Sequence, residues 1–597
     1  MTDERKSQPD LPNRQRRRWL LAGLVINGLI GLACVGWLIT TGRAAQTDLT
    51  AARTAASQLR ADLSTGNIQE ATKELVLIQR RAASARRSTS GFIWNMAARI
   101  PFAGRPVRTA QGVAAAADTL ARTVLPLLTD AAQALHPNTP LASSDTVNIA
   151  AVHAAAGPLA DAASHLATVS SQLDTLPTHT GIARLDRARV ALTQQTTQLE
   201  RTTSTSATAA RLLPPMLGAD GPRRYFLALQ TNAEARGTGG LVGAFSMLVA
   251  DHGHIGLQQF TADDAIPEAA KPVISLGPDF DHRYGEAQST QLLADSNLSP
   301  HYPYAARIWT RLWQDRTGQQ LDGAIATDPV GLADLLAATG PISLPAGPLL
   351  TASNAVAYTE RDLYTQYPDA ATRKQALTQV ADSVANALAH QHLNPLAILK
   401  ALSTSASNGH LRVWSSHPEE EQHLADTILG GVLPDTSRPF AELVINNAAA
   451  SKLDYYLVRR LEYQLGTCKN GSRPSTVRIQ LTNTAPRSGL PDYVVNRSDD
   501  PGHPHIRGSN FSWVSFYATR GAQLVGASLD SQPQLMSVDE ERDHTVLSTT
   551  MEILPGRTRV LDLHLLEPAS DAAPLMPTQP LARGQTTTLS TQSCRAG

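Results

Sequence analysis

The sequence predicts a multidomain protein with one N-terminal transmembrane helix, an Ala-rich helical bundle, an α/β domain and a C-terminal β-sandwich. Three observations lead to this prediction: an apolar run at 19–42, heptad-like spacing of apolar residues from 44 to about 215, and strands that alternate with helices from Arg224 onward. The predicted boundaries are 1–18 for a cytoplasmic basic tail, 19–42 for the transmembrane helix, 43–217 for an extracytoplasmic helical bundle, 218–436 for the α/β domain and 437–597 for the β-sandwich domain with its C-terminal tail.

The apolar run reads WLLAGLVINGLIGLACVGWLITTG and has no charged residue between Arg18 and Arg43. Its 24 residues are enough to cross a hydrocarbon core of about 30 Å. Four arginines at 14 and 16–18 precede it, and positive charge flanking a span stays on the cytoplasmic side. The run therefore predicts a single-pass plasma-membrane protein whose N-terminus is cytoplasmic and whose bulk is extracytoplasmic. A cleaved signal peptide is the alternative, since residues 42–45 form a weak cleavage-like site.

The composition bears on which class of partner the protein binds and on whether its cysteines form a disulfide. The net charge is zero, and no basic stripe is apparent outside the N-terminal tail, so no nucleic-acid partner is predicted. Of the three cysteines, Cys34 falls inside the predicted span. Cys468 and Cys594 lie outside it without Cys-x-x-Cys spacing, and most simply they pair as a disulfide. Two free thiols are the alternative.

The region from 44 to about 215 is predicted to be entirely helical. Leu49, Ala52, Ala56, Leu59 and Leu63 step by three and four residues, and the same stepping recurs in four later runs. Prolines at 101, 137–140 and 177 separate the runs, because proline ends or kinks a helix. A bundle of this kind would contact protein partners as a stalk or adaptor, and an ordinary bundle core is the alternative.

Strand and helix patterns alternate after this region. Strands are predicted at 225–229, 241–250 and 321–327, and helices at 302–317, 329–339 and 370–390. This order is typical of a sheet covered by helices. From about Phe440, period-two alternation recurs, for example at Val477, Ile479 and Leu481, which predicts the β-sandwich.

Two long segments carry a family resemblance. The run RYFLALQTNAEARGTGGLVGAFSMLVADHGHI, from Arg224, resembles the opening of the bacterial domain of unknown function 4012 family. So does the run LDGAIATDPVGLADLLAATGPISLPAGPLLTASNAVAY, from Leu321. The order of anchor, helical region, α/β region and β-rich C-terminus is also similar to that family. Because that family is one of unknown function, the resemblance implies no activity.

A second, weaker resemblance is to a family with a known activity. Residues 321–387 are similar in pattern to LytR-CpsA-Psr proteins, which transfer polymers from polyprenyl pyrophosphate carriers to the cell wall. The similarity rests on Asp328-Pro329, on Arg361 and Asp369, and on Arg373-Lys374-Gln375 at a helix start. It implies a glycopolymer transferase. The chain departs from that family at residues 243–246, which lack its carboxylate.

These patterns single out candidate ligand-binding residues. Arg361 and Arg373 suit a phosphate-bearing ligand, because a guanidinium binds phosphate oxygens bidentately. The glycines at 237, 239 and 240 would let backbone amides approach the ligand, with Asn232, Glu234 and Arg236 orienting the loop. Asp263 and Asp264 would hold Mg²⁺. Each has a structural alternative: a routine turn, a Glu234–Arg236 pair, a solvated arginine, or an aspartate cap.

Two functions follow as expectations. The first is a membrane-anchored cell-envelope factor that binds or assembles a glycan or lipid-linked ligand, with the cell-wall glycan and proteins contacting the bundle as partners. The second is a transferase that acts on polyprenyl-pyrophosphate-linked glycans. Whether the chain is an enzyme is left open, because no P-loop, nucleophile elbow or zinc motif occurs in the context it requires.

Overall fold

The computed structural model describes residues 13–64, 67–135, 146–345, 347–390, 395–500 and 503–594. The chain divides into two compact units. The first unit contains Met1–Leu141 and Asn148–Pro214, and the second contains Ala142–Val147 and Pro215–Gly597. The predicted α/β and β-sandwich regions therefore lie within one unit.

The described part of the first unit is helical. Its helices are α1 (Asn13–Ser64), α2 (Ile68–Ser88), α3 (Phe92–Ala98), α4 (Gly104–Thr119), α5 (Leu125–Leu135), α6 (Ile149–Asp174) and α7 (Ala183–Met216), which ends just inside the second unit. A π-helical turn, Leu120–Val124, joins α4 to α5. The break predicted at 137–140 lies outside the described residues, as do residues 1–12 of the predicted basic tail.

Alanines dominate the packing of the first unit. On α1, Ala52, Ala55 and Leu59 are buried at spacings of three and four residues, against Ala71 and Ile78 of α2. This spacing puts one stripe of each helix on the core, and small side chains there let the helices approach closely. Leu166, Val169 and Leu173 form the corresponding stripe of α6.

The predicted transmembrane helix at 19–42, and with it the single-pass plasma-membrane location, is wrong on the structural evidence. Across the described residues, no helix combines the length and the apolar character that a membrane span requires. The run falls in α1, whose side chains are described from Ala33 onward. Charged residues at 43, 48, 53 and 60 follow the run on the same helix.

The second unit is built from strands and shorter helices. Its strands are β1 (Arg223–Arg236), β2 (Gly239–Asp251), β3 (His254–Leu257), β4 (Thr261–Ala262), β5 (Gly323–Thr327), β6 (Ile342–Ser343), β7 (Leu349–Leu350), β8 (Leu411–Ser415), β9 (Ala441–Asn447), β10 (Leu457–Leu465), β11 (Ser472–Asn483), β12 (Asn510–Ala518), β13 (Gln523–Leu529), β14 (Gln532–Pro533), β15 (Ser537–Glu541), β16 (His544–Ile553), β17 (Thr558–Pro568) and β18 (Thr586–Thr591). Its helices are α8 (Pro278–Tyr284), α9 (Tyr302–Thr317), α10 (Pro329–Thr339), α11 (Ala355–Ala357), α12 (Leu363–Gln366), α13 (Ala370–His390), α14 (Pro395–Ser407), α15 (Pro418–Ala425) and α16 (Asp492–Val495).

The first sheet has the order β3-β2-β1-β5-β8, with β4 paired to β2. β1 pairs antiparallel with β2 and parallel with β5, so the carboxyl ends of β1 and β5 meet at one edge. Helix α9 covers one face of this sheet through buried Trp309, which packs near Phe226. Phe226 in turn stacks on Phe245 of β2 at 5.0 Å between ring centroids.

Two further sheets enclose the core of the C-terminal half. One has the order β14-β13-β17-β11-β10-β18 and the other β15-β16-β12-β9. Buried Leu461 and Ile479 from the first sheet share a core with Leu443 and Phe516 from the second. The period-two alternation places these side chains on the inner faces.

The predicted disulfide is confirmed. Cys468 and Cys594 are bonded, with their Cα atoms 4.7 Å apart. The bond ties the segment after β18 to the turn between β10 and β11, and β18 itself pairs parallel with β10.

Candidate functional site

The carboxyl ends of β1 and β5 place buried polar side chains next to one another. Asp328 follows β5 and caps α10, accepting hydrogen bonds from Val330 N (2.9 Å) and Gly331 N (3.0 Å) at one oxygen. Its other oxygen lies 2.6 Å from His410 Nδ1 and accepts a hydrogen bond from Asn232 Nδ2 at 3.3 Å. Ligands of α/β proteins bind at such edges, which makes this the first place to look for a site.

Glu360 closes the same edge from a π-helical turn, Tyr358–Asp362. Its carboxylate accepts hydrogen bonds from Thr231 Oγ1 (2.9 Å), Asn232 N (3.2 Å) and Ala233 N (2.6 Å). β1 has an irregular register between Thr231 and Ala235, and Glu360 satisfies backbone amides that β2 leaves unpaired there. Burial raises the pKa of Glu360 to about 7.

The chain's own C-terminal segment covers this edge. Pro580 O accepts a hydrogen bond from Asn232 Nδ2 at 3.1 Å. The neighbouring Gln579 Nε2 donates to Arg236 O at 2.7 Å and to Ile445 O at 2.7 Å. Because these contacts occupy the space over the strand ends, the buried carboxylates here have a structural role.

Glu234 and Arg236, predicted to orient a ligand loop, lie in a buried ion-pair network instead of an open loop. Arg236 Nη2 lies 2.9 Å from Glu234 and 3.0 Å from Asp295, and Lys452 pairs with the second oxygen of Glu234. Burial alone would raise the pKa of Glu234, but the charges of Lys452 and Arg236 outweigh burial and lower it. Strand β1 runs on to Arg236, so the predicted loop is short.

The candidate glycines serve close backbone packing. A Cβ atom on Gly240 would collide with the carbonyl of Thr231, and one on Gly237 would collide with that of Leu298. Gly239 has a φ of 136°, which side-chain-bearing residues rarely adopt. All three lie where β1 turns into β2, and this turn explains them without a ligand.

The aspartates predicted to hold Mg²⁺ have a cation partner in the chain. Lys374 Nζ lies 2.6 Å from Asp263 and 2.9 Å from Asp264. Within the described residues, no group of three or more His, Cys, Asp or Glu side chains is arranged to hold a metal ion. The ammonium group occupies the position that a divalent ion would take between these two carboxylates.

The two candidate arginines differ in environment. The Arg361 side chain is 44% exposed and pairs with Asp362 at 2.6 Å. Arg373 is buried near the start of α13, and its Nη1 donates to Tyr367 O (3.0 Å) and Pro368 O (3.1 Å). It forms no ion pair with a carboxylate of the described chain. Its guanidinium instead lies close to the rings of Tyr493 and Tyr364.

The ring of Tyr493 lies directly over Arg373. The guanidinium carbon is 3.7 Å from the Tyr493 centroid and 5.3 Å from that of Tyr364, and the two rings are nearly parallel at 6.0 Å. Tyr493 is 43% exposed. A second tyrosine, Tyr455, packs against the hydrophobic cluster that contains Tyr364, and its ring lies under the guanidinium of Arg583 at 5.4 Å. We call Tyr455 and Tyr493 with these arginines the tyrosine platform.

Most of this surface has no signal in the sequence. Tyr455, Tyr493 and Arg583 belong to no motif and lie far along the chain from Arg373. No local spacing signals their convergence, because it depends on how the segment around α16 packs against α12 and α13. Arg373 is the member that the sequence identified.

Comparison with known proteins finds a family match within the second unit. Residues 220–364 match the family model described as "Protein of unknown function (DUF4012)". This match confirms the resemblance inferred from the sequence, and it extends from the segment before β1 into α12. No curated protein matches the chain. The resemblance to LytR-CpsA-Psr proteins stays a prediction.

Proposed function

We propose that this protein binds a glycan bearing phosphate or carboxylate groups, without turning it over, and that the tyrosine platform is its contact surface. The main support is the stacking of the Arg373 guanidinium at 3.7 Å beneath the half-exposed ring of Tyr493. Sugar rings present apolar C–H faces with polar edges, and an aromatic face with a polar rim is complementary to both.

Rigidity favours binding at this surface. The inner face of Tyr493 is fixed by Arg373, and Arg373 is fixed by two backbone carbonyls. A side chain that is already ordered loses little conformational entropy when a ligand stacks on it. The outer face of the ring is the part left to a ligand.

The charges around the platform favour anionic substituents. Arg583 forms no ion pair with any carboxylate in the described ranges, whereas Arg361 is paired with Asp362, and buried Arg373 adds positive charge beneath Tyr493 without reaching a ligand itself. Guanidinium groups bind carboxylate and phosphate oxygens through parallel hydrogen bonds. An anionic group attached to a stacked sugar would therefore meet positive charge beside Tyr455 and Tyr493.

The state of the carboxylates supports binding without turnover. Glycoside hydrolysis uses a pair of carboxyl groups that face the substrate. Glu234 is buried against two cations, Asp263 and Asp264 share Lys374, and Glu360 is buried and hydrogen-bonded to the end of β1. None of these carboxylates is unpartnered beside the platform. The transferase alternative stays a prediction.

Calorimetric titration with two short oligosaccharides tests the proposal: hexagalacturonate, which is anionic, and maltohexaose, which is neutral. We expect hexagalacturonate to bind more tightly, and Tyr493→Ala to weaken it by at least about tenfold, or about 1.4 kcal/mol. Tyr493→Phe retains the ring and should bind like the wild type.

Arg478→Gln, which removes an exposed positive charge on β11 outside the platform, is a control for the general effect of charge and should bind like the wild type. Equal binding by wild type and Tyr493→Ala would refute the platform. Release of a shortened or transferred sugar during the titration would refute binding without turnover.

A further inference from the structure

One stretch of the first unit is strongly basic. Residues 75–117 contain seven arginines, at 80, 81, 86, 87, 99, 105 and 108, and no lysine, aspartate or glutamate. The stretch covers most of α2, all of α3 and most of α4. Although the whole chain has no net charge, this part of the surface is positive.

A cleft lies within this stretch. It encloses about 350 Å³ and is lined by Gln79, Arg80, Ala83, Arg87 and Arg122. Arg80, Ala83 and Arg87 follow one another at helical spacing and so share a face of α2. Arg122 comes from the π-helical turn, a kind of local distortion that is frequent at functional sites.

The arginines of the cleft differ in whether a carboxylate neutralises their charge. Arg122 pairs with Asp118 at 2.8 Å, and outside the cleft Arg81 pairs with Asp48 at 3.0 Å. Arg80 and Arg87 form no ion pair with a carboxylate of the described residues, and both are exposed. Two guanidinium groups of the cleft thus keep their charge for an external partner.

We propose that this cleft binds an anionic polysaccharide. Arg80 and Arg87 are two helical turns apart, about 10.5 Å along the axis, a spacing that suits charges repeated along a polymer. Gln79 Nε2 donates to Ala121 O at 3.2 Å, which leaves its side-chain oxygen to accept from a sugar hydroxyl. No aromatic side chain lines the cleft, whereas proteins that bind single-stranded nucleic acid stack the bases on aromatic rings.

This site is separate from the tyrosine platform and does not depend on it, because the cleft and the platform belong to different units. Each can be disabled alone. A variant of the platform should leave cleft binding unchanged, and a variant of the cleft should leave platform binding unchanged.

The test is binding of the full chain to polygalacturonate, measured by calorimetry at about 50 mM and about 300 mM salt. We expect Arg80→Gln/Arg87→Gln to weaken binding by at least about tenfold at the lower salt concentration, since two charge-assisted contacts are lost. Arg53→Gln/Arg60→Gln is the matched control, because these arginines are also exposed and seven residues apart, on α1. Circular dichroism melts establish that both double variants are folded.

Because the platform would also bind a galacturonate chain, the titration is fitted to two sites: the control double variant should retain both sites, and Tyr493→Ala should lose the platform site and retain the cleft site. Equal losses in the two double variants would overturn the cleft, because net charge alone would then explain binding. Undiminished binding by Arg80→Gln/Arg87→Gln would overturn it as well. Tighter binding of an oligothymidylate of equal charge would overturn the polysaccharide assignment.

Discussion

Arg373 and Tyr493 stack at 3.7 Å between guanidinium carbon and ring centroid, although 120 positions separate them in the sequence. Arg373 was expected to contact a ligand through its free guanidinium. The structure gives it a different position, beneath an aromatic ring whose outer face is exposed. The pair joins the start of α13 to α16 and anchors the tyrosine platform.

Replacing Arg373 should destabilise the second unit. Arg373→Ala removes a buried cation–π contact and two hydrogen bonds to carbonyls, so we expect a loss of about 2–3 kcal/mol. Arg373→Lys should recover little of this lost stability, because an ammonium does not stack on a ring as a planar guanidinium does. Thermal unfolding followed by tryptophan fluorescence checks this. Exposed Arg478→Ala should cost no more than about 1 kcal/mol, and an equal effect of the two alanine variants would contradict the prediction.

Gly240 should be intolerant of a side chain for structural reasons. In Gly240→Ala the new methyl group collides with the Thr231 carbonyl, and we expect a loss of about 2–4 kcal/mol in the free energy of unfolding. Gly243→Ala, on the same strand, is the control, because its Cβ would lie 3.6 Å from the nearest atom. Similar stabilities of the two variants would argue that Gly240 is needed for something other than packing.

Mg²⁺ should not stabilise the protein at Asp263 and Asp264. Lys374 neutralises both carboxylates, and a metal ion would have to displace it. We expect about 5 mM Mg²⁺ to leave the melting temperature unchanged, since only a ligand that binds the folded state raises it. Lys374→Ala should cost less than about 1 kcal/mol, because these ion pairs are partly exposed. A Mg²⁺-dependent rise in the wild type that Asp263→Asn abolishes would restore the metal site.

Glu360 should make stability fall as pH rises. Its pKa is about 7 in the fold against 4.5 for the ordinary side chain, so the folded state binds the proton more tightly. The stabilisation that Glu360 gives by binding this proton is complete below about pH 4.5 and disappears as pH rises through about 7. The free energy of unfolding therefore falls by about 3 kcal/mol over this range. Glu360→Gln cannot titrate. The difference in unfolding free energy between wild type and Glu360→Gln, measured from pH 4 to 8, should follow this curve, and a constant difference would contradict it.

The disulfide should contribute strongly to the stability of the second unit. It closes a loop with a sequence separation of 126 residues, for which the chain-entropy model gives about 4–5 kcal/mol. We expect Cys468→Ser/Cys594→Ser to unfold at a lower temperature than the wild type. Reductant should shift the wild type toward the variant and leave the variant unchanged. A variant as stable as the oxidised wild type would show that strand pairing alone holds the C-terminal segment.

Elements with local signals were predictable from the sequence. Helix α9 spans Tyr302–Thr317 as expected, because Pro303 starts it and Gly318, in a left-handed conformation, ends it. The strand expected at 321–327 is β5, shorter by two residues. In these cases the capping and turn residues lie next to the element that they define.

Features that depend on distant partners were not predictable. The segment at 230–236 looked like a loop, but it is strand, because Glu360 supplies acceptors for its amides from 128 residues away. Arg236 and Asp263 looked like ligand contacts, yet their charges are matched by Asp295 and Lys374. A single sequence does not show which opposite charge will meet a given side chain. The basic stretch at 75–117 is different, because it is visible in the sequence itself, and the expectation of no basic stripe outside the N-terminal tail overlooked it.

Residues 579 and 580 cover the β1–β5 edge, and this affects how the chain folds during translation. Asn232 meets Pro580 across a sequence separation of 348 residues. Asp328, which follows β5, precedes Pro580 by 252 residues, so at about 5–20 residues per second of translation the completed edge waits on the order of 13–50 seconds for this cover. During that interval Asn232 and Asp328 are open to water, and a chaperone that recognises the nascent chain would find its target there.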